Sequence, residues 1–128
     1  MANSFSDYLE NKVLAHVFGG SAYTAPATIY VGLFTSDPGE SGSTGEVSGN
    51  GYLRQSMAFT VTDDACTNTS AVEFPTATGS WGTITHTALY DASTSGNMLA
   101  VGQLSASKGV GSGDVFRFAA GSFDITLA

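Results

Sequence analysis

With 128 residues the chain has room for one ordinary domain core, and its 42% hydrophobic content excludes general disorder. Only 12% of residues are charged, and 4 basic residues stand against 11 acidic ones for a net charge of -7. Lys12, Arg54, Lys108 and Arg117 are too dispersed to displace counterions from a polyphosphate, so nucleic acid and anionic membrane are excluded as expected partners.

The first 20 residues read as a helix. Ser4 with Asp7 three residues on fits a capping box, and Phe5, Leu9, Val13 and Val17 then recur every four residues. Tyr8, Leu14 and Phe18 widen this apolar stripe, while Asp7, Glu10, Asn11 and Lys12 fill the polar side. Gly19-Gly20 supplies the stop, because glycine accepts the left-handed conformation at a helix C-terminus.

From Thr28 the period changes to two. Thr28 to Thr35 predicts a strand with Ile29, Val31 and Leu33 on one face and Tyr30 and Phe34 on the other, so it should be central and covered on both sides. Ser36-Asp37-Pro38-Gly39 ends it, and Gly39 to Gly51 predicts a long Gly/Ser-rich loop, either a surface excursion or a partner contact. Tyr52 to Val61 alternates again, with Leu53, Met57, Phe59 and Val61 inward and Arg54, Ser56 and Thr60 outward. Thr62 to Thr69 reads as a polar turn region, Ala71 to Phe74 as a short strand stopped by Pro75, and Trp81 as following a small-residue loop. Ile84 to Tyr90 and Met98 to Leu104 form a predicted hairpin around Asp91 to Asn97. Lys108 to Gly113 is a Gly-rich connection, and Asp114 to Phe118 with Ser122 to Leu127 should close the chain as a hairpin. The expected fold is mainly β: an N-terminal amphipathic helix (1–20) followed by an antiparallel β-sandwich or barrel of about seven strands (21–128), together one compact domain.

Chemistry is sparse. Cys66 is the only cysteine, so no intrachain disulfide is possible and its plain reading is a small residue near a strand end. One cysteine and two separated histidines, His16 and His86, do not make a zinc site of familiar spacing, and no nucleophile elbow is present. His86 should share a face with Ile84, Ala88 and Tyr90 as a partly buried, backbone-bonded side chain. Asp63-Asp64 lacks the EF-hand spacing, which leaves only weak loop-bound calcium open. Gly109, Gly111 and Gly113 precede Asp114 and no helix, unlike a phosphate loop. Asp37, Glu40 and Glu46 read as a solvated acidic loop surface, and Asn68-Thr69-Ser70 as a chance sequon. No signal peptide and no apolar run of ~18 residues is visible, so the chain should stay soluble where it is made. No catalytic residue, metal or cofactor is expected; the chain should act by contact.

Some phrases are more specific. Asn3 to Leu14 ending in Phe18-Gly19-Gly20 runs into Ala25 to Gly39; then come Glu46 to Tyr52, Phe74 to Gly82 and Ser112 to Phe118. This succession resembles a family of small virion structural proteins of tailed bacteriophages, often labelled tail-fibre proteins. The resemblance implies a virion component made in the host cytoplasm, without enzymatic activity and with other virion proteins as partners.

Without length, repeats or a coiled coil, the chain suits a capsid-decorating cement protein that binds across shell subunits; the alternative is a tail-fibre or tail-associated adaptor contacting a host receptor or glycan. Self-association, with a trimer favoured, is expected. The residues that could meet a partner are Phe5, Leu9 and Val13 on the helix, for which packing on the chain's own sheet competes, and Tyr52 and Trp81 near loops, for which core packing competes.

Overall fold

The helix begins at Ser6, two residues later than the capping box at Ser4 predicts. A computed structural model describes residues 2–41 and 44–126. In it Ser6 is the N-cap of α1 (Asp7–Val17), its Oγ accepting from the Leu9 N–H. Residues Ala2–Phe5 form strand β1. Both serines have cap chemistry; Ser6 prevails because its hydroxyl also donates to the Met98 carbonyl and its N–H to the Leu99 carbonyl, anchoring it to a strand far away in sequence. Within the segment read as one helix, the described residues 2–20 form a strand followed by a helix. Its end matches the glycine signal: Phe18 is the C-cap and Gly20 has φ 70°.

The remaining strands are β2 (Tyr30–Phe34), β3 (Gln55–Ser56), β4 (Phe59–Thr62), β5 (Ala65–Asn68), β6 (Val72–Glu73), β7 (Gly82–Tyr90), β8 (Met98–Val110), β9 (Arg117–Phe118) and β10 (Asp124–Thr126). They make a five-stranded sheet in the order β1-β8-β7-β2-β3, a three-stranded sheet β10-β5-β4 and a two-stranded ladder β6-β9. All pairings are antiparallel, and the arrangement is sandwich-like rather than a closed barrel. β2 lies between β7 and β3, and Val31, Leu33 and Phe34 are fully buried, as a strand apolar on both faces requires.

Four expectations are corrected. The alternating run Tyr52 to Val61 is two strands in different sheets, with the crossing at Met57, whose N–H bonds the Ile29 carbonyl. Leu53 and Val61, expected inward, are 63% and 73% exposed, and Arg54, expected outward, turns in. The polar stretch 62–69 contains β5, paired to β4 through a turn at Asp63 (φ 53°) and Asp64; Asn and Asp tolerate this conformation, which disguised the hairpin as a loop. β8 continues through the expected Gly-rich connection to Val110, because Gly82–Ile84 supply it with partners across a register shift. The closing segments do not pair with each other: β9 joins β6 and β10 joins β5, so about seven predicted strands become the ten β1–β10 among the described residues. Leu127, assigned to the last strand, lies outside the described residues.

The core lies between the sheets. Phe74 is at its centre, with Tyr52, Trp81, Phe116 and Phe118 rings at centroid distances of 6.2, 6.5, 5.8 and 6.4 Å, and Phe123 extends the cluster 5.4 Å from Phe118. The contacts are mostly edge-to-face, as the ring quadrupoles prefer. On the other face of the large sheet, Phe34, Ala88, Tyr90, Met98 and Val101 form a second cluster.

Candidate functional site

Three polar groupings have a geometry that could carry chemistry. The first centres on Glu46 and Arg54. The Arg54 guanidinium holds both Glu46 carboxylate oxygens at 2.8 Å, lies 3.6 Å above the Tyr90 ring and donates to the Ala92 and Ser95 carbonyls. The Tyr52 hydroxyl donates to Glu46 at 2.7 Å while accepting the Leu33 N–H. Gly32 makes the room: a Cβ there would stand 2.8 Å from the Glu46 carboxylate. Burial, followed by the Glu46 charge, pushes the Tyr90 phenol up to about 12 and raises the Tyr52 phenol as well. Glu46 is thus no solvated loop acid. The Glu46 carboxylate, the Tyr52 hydroxyl and the Arg54 guanidinium are paired within the chain, while the buried Tyr90 hydroxyl has no hydrogen-bond partner; the group acts as a brace between the 45–54 segment, β2 and the β7–β8 loop.

The second grouping is Thr85, His86 and Asp37. His86 Nδ1 shares a hydrogen bond of 2.8 Å with the Thr85 hydroxyl, and its Nε2 is 4.0 Å from Asp37. The expected face is corrected by a register shift between Ile84 and His86: Ile84 points into the intersheet core, whereas Ala88 and Tyr90 lie on the opposite face. The histidine bonds a side chain rather than backbone. His16 is exposed, its Nδ1 accepting the Tyr23 N–H.

The third grouping was not legible in the sequence. Asp7, Glu10 and Glu40 bring carboxylate oxygens within 4.8 Å of one another, the one such cluster among the described residues, and could reach a common cation. All three are exposed, and the N-terminus of α1 already offsets the charge of the two helical acids. The sequon residue Asn68 is 2% exposed, with its amide committed to the Ser70 and Ala119 carbonyls and the Phe123 N–H.

The apolar candidates divide. Trp81 is 4% exposed and Tyr52 half-buried, in ring contact with each other and with Phe74, and the Trp81 indole donates to the Asn50 carbonyl. They serve the core and leave little ring surface for a partner. Phe5 and Leu9, by contrast, come together along a groove of about 340 Å³ between the sheets. Its walls include Leu89 and Leu99 of the large sheet and Phe59, Val61, Cys66 and Ile125 of the three-stranded one, and its lip carries Asp63 and Asp64. Burial raises the Cys66 thiol, which removes thiolate character from the groove. Val13 sits one turn beyond Leu9, half-buried.

Farther along α1, Leu14, Val17 and Phe18 are 59%, 62% and 82% exposed, and no residue of the helix is fully buried. The stripe was visible in the sequence; the groove was not, because it arises where the two sheets diverge. Among the described residues no helix is long and apolar enough to cross a membrane.

A family model described as Podophage GP4 fiber I protein gp80 matches residues 4–126. This agrees with the resemblance to tailed-phage structural proteins and favours a fibre over a capsid coat as the setting. No curated protein matches the chain. With a match that spans nearly the entire sequence, the chain belongs to the Podophage GP4 fiber I protein gp80 family of phage virion proteins.

Proposed function

We propose that this protein is a fibre-associated module of the phage tail that works by surface contact and catalyses nothing. The observation that carries the reading is the open apolar end of the sandwich: a groove and an adjoining helix whose hydrophobic side chains face solvent. Exposed aliphatic and aromatic side chains gathered at one end of a small domain are typical of a docking surface. The polar groupings support the same reading, since the Glu46–Arg54 pair is a closed brace and His86 is held by its neighbours. The family description points to a fibre rather than a shell.

Copy number in purified virions tests this proposal. A handful of copies per particle, recovered with the tail fraction, is the expected result. Hundreds of copies on emptied heads would instead establish the cement role. Reproducible substrate turnover lost in His86→Ala would overturn the contact reading. Deleting residues 1–20 is a poor probe of docking, because it also strips β1 from β8 and removes the Ser6 anchor; point changes in the exposed side chains of α1 leave both in place.

A further inference from the structure

Of the asparagines Asn3, Asn11, Asn50, Asn68 and Asn97, only Asn50 precedes a glycine. Asn50 and Gly51 are the central residues of a tight turn, with φ of 52° and 82°, closed by the Tyr52 N–H on the Gly49 carbonyl. Positive φ at both positions is why this pair suits the turn. Asn50 is also a peg. Its carbonyl accepts the Thr78 N–H at 3.0 Å and the Trp81 indole N–H at 2.9 Å, and its side-chain amide donates to the Ser80 carbonyl at 3.0 Å. Gly79 makes room for it, since a Cβ there would stand 2.7 Å from Asn50 Cγ. One residue thus fastens the 45–54 segment to the loop that carries Trp81.

The peg is built on a reactive peptide bond. The Gly51 N–H makes no hydrogen bond among the described residues, and Asn50 and Gly51 are both exposed to water. The two hydrogen bonds on the Asn50 carbonyl draw electron density from that amide and make its N–H more acidic. Gly51 has no side chain to obstruct an approach of its nitrogen to Asn50 Cγ. The other asparagines lack this combination. Asn68 is 2% exposed with its amide committed, Asn97 precedes the buried Met98, and Asn3 and Asn11 sit in β1 and α1.

We propose that Asn50 is a site of spontaneous deamidation in the folded protein, and that its conversion unfastens the Trp81 loop. The Gly51 nitrogen, having given up its proton, attacks Asn50 Cγ. A C–N bond forms, the Cγ–Nδ2 bond breaks, and Nδ2 takes up a proton and leaves as ammonia. Water then opens the cyclic imide at either carbonyl, giving aspartate or isoaspartate with no change of oxidation state. Aspartate sets a carboxylate oxygen against the Ser80 carbonyl where the amide had donated. Isoaspartate lengthens the main chain by one carbon and moves the carbonyl away from Thr78 and Trp81. Either product adds negative charge to a chain already at -7. This holds whether or not the protein works in a fibre.

The test is to hold the full folded chain in mildly alkaline buffer and follow each asparagine by peptide mapping and mass spectrometry. Asn50 is expected to convert at least about tenfold faster than any other asparagine, with isoaspartate among the products. Trp81 is the only tryptophan, so its emission should shift to the red as Asn50 converts. Asn50→Asp should show that shift from the start; if this variant does not fold, the converted wild-type fraction, separated by ion exchange, gives the same reading.

An Asn50 that stays intact in the folded chain while the urea-unfolded chain converts it overturns the proposal, because the fold then protects the site. Conversion that leaves the Trp81 emission unchanged overturns the unfastening of the loop.

Discussion

The aromatic end of the sandwich and the groove end use similar residues with opposite outcomes. At the aromatic end, Phe74 is enclosed by four other rings, and the Arg54–Glu46 brace ties the neighbouring loops across β2. At the groove end, Phe5, Leu9 and Phe59 are only partly covered, Val61 is exposed, and the helix that could close the gap leaves Leu14, Val17 and Phe18 in solvent. The difference teaches that closure is a matter of what spans the two sheets. Loops bearing large rings close one end; a hairpin turned by two aspartates and a helix held mainly at its first turn leave the other open.

The contrast is sharpened by removing a residue from each region, beginning with the most enclosed. Phe74→Ala is expected to cost about 4 kcal/mol in chemical denaturation, since it empties the place where the rings converge. A loss below about 1 kcal/mol would mean that the aromatic end is as loosely packed as the groove. Next, Arg54→Ala is expected to cost about 3 kcal/mol by the same measurement, because it strands a carboxylate that is largely enclosed and uncovers the Tyr90 ring.

A smaller effect is expected at high pH. The Tyr90 phenol is raised to about 12, and Tyr52 is raised as well, both chiefly by burial. Below the ordinary phenol value of about 10, folded and unfolded chains are equally protonated and this source of stability is fully present. As pH rises from about 10 to about 12 the unfolded chain loses its protons first, so stability falls through that window. Denaturation midpoints across the window test this, and Tyr90→Phe should flatten the decline. The smallest effect is expected at the open end: Phe18→Ser should shift the stability of the dilute monomer by less than about 0.5 kcal/mol. A loss comparable to that of Phe74→Ala would show that α1 belongs to the core.

Much of the strand content was legible because alternation in Thr28 to Thr35 and Ile84 to Tyr90 is a direct imprint of a pleated strand with buried faces. The same signal misled at Tyr52 to Val61. Period two says that side chains alternate; it does not say which sheet a strand joins, so one run served two sheets and left Leu53 and Val61 outside. β1 was hidden for a different reason: Ser4 and Ser6 both have capping chemistry, and the choice rests on the Met98 and Leu99 carbonyls. On the candidate surface, Leu9 could be named from helical spacing, whereas Phe5, read as part of the same helix, lies in β1 and reaches the groove from there. Phe59, Cys66 and Ile125 could not be named, since they reach the groove from strands brought together only by folding.

The sequence by itself determined the broad class of this protein: one mainly β domain with a single amphipathic helix, poor in ionisable groups, and matched along most of its length to phage fibre proteins. Those properties are local or compositional, written in turn residues, periodicity and charge. Only the tertiary structure decided that Arg54 turns inward to Glu46, that Tyr52 and Trp81 serve the core, and that the sheets part to leave a groove beside α1. Each of these depends on distances between segments far apart in the chain, and such distances are set when the sheets pack against each other.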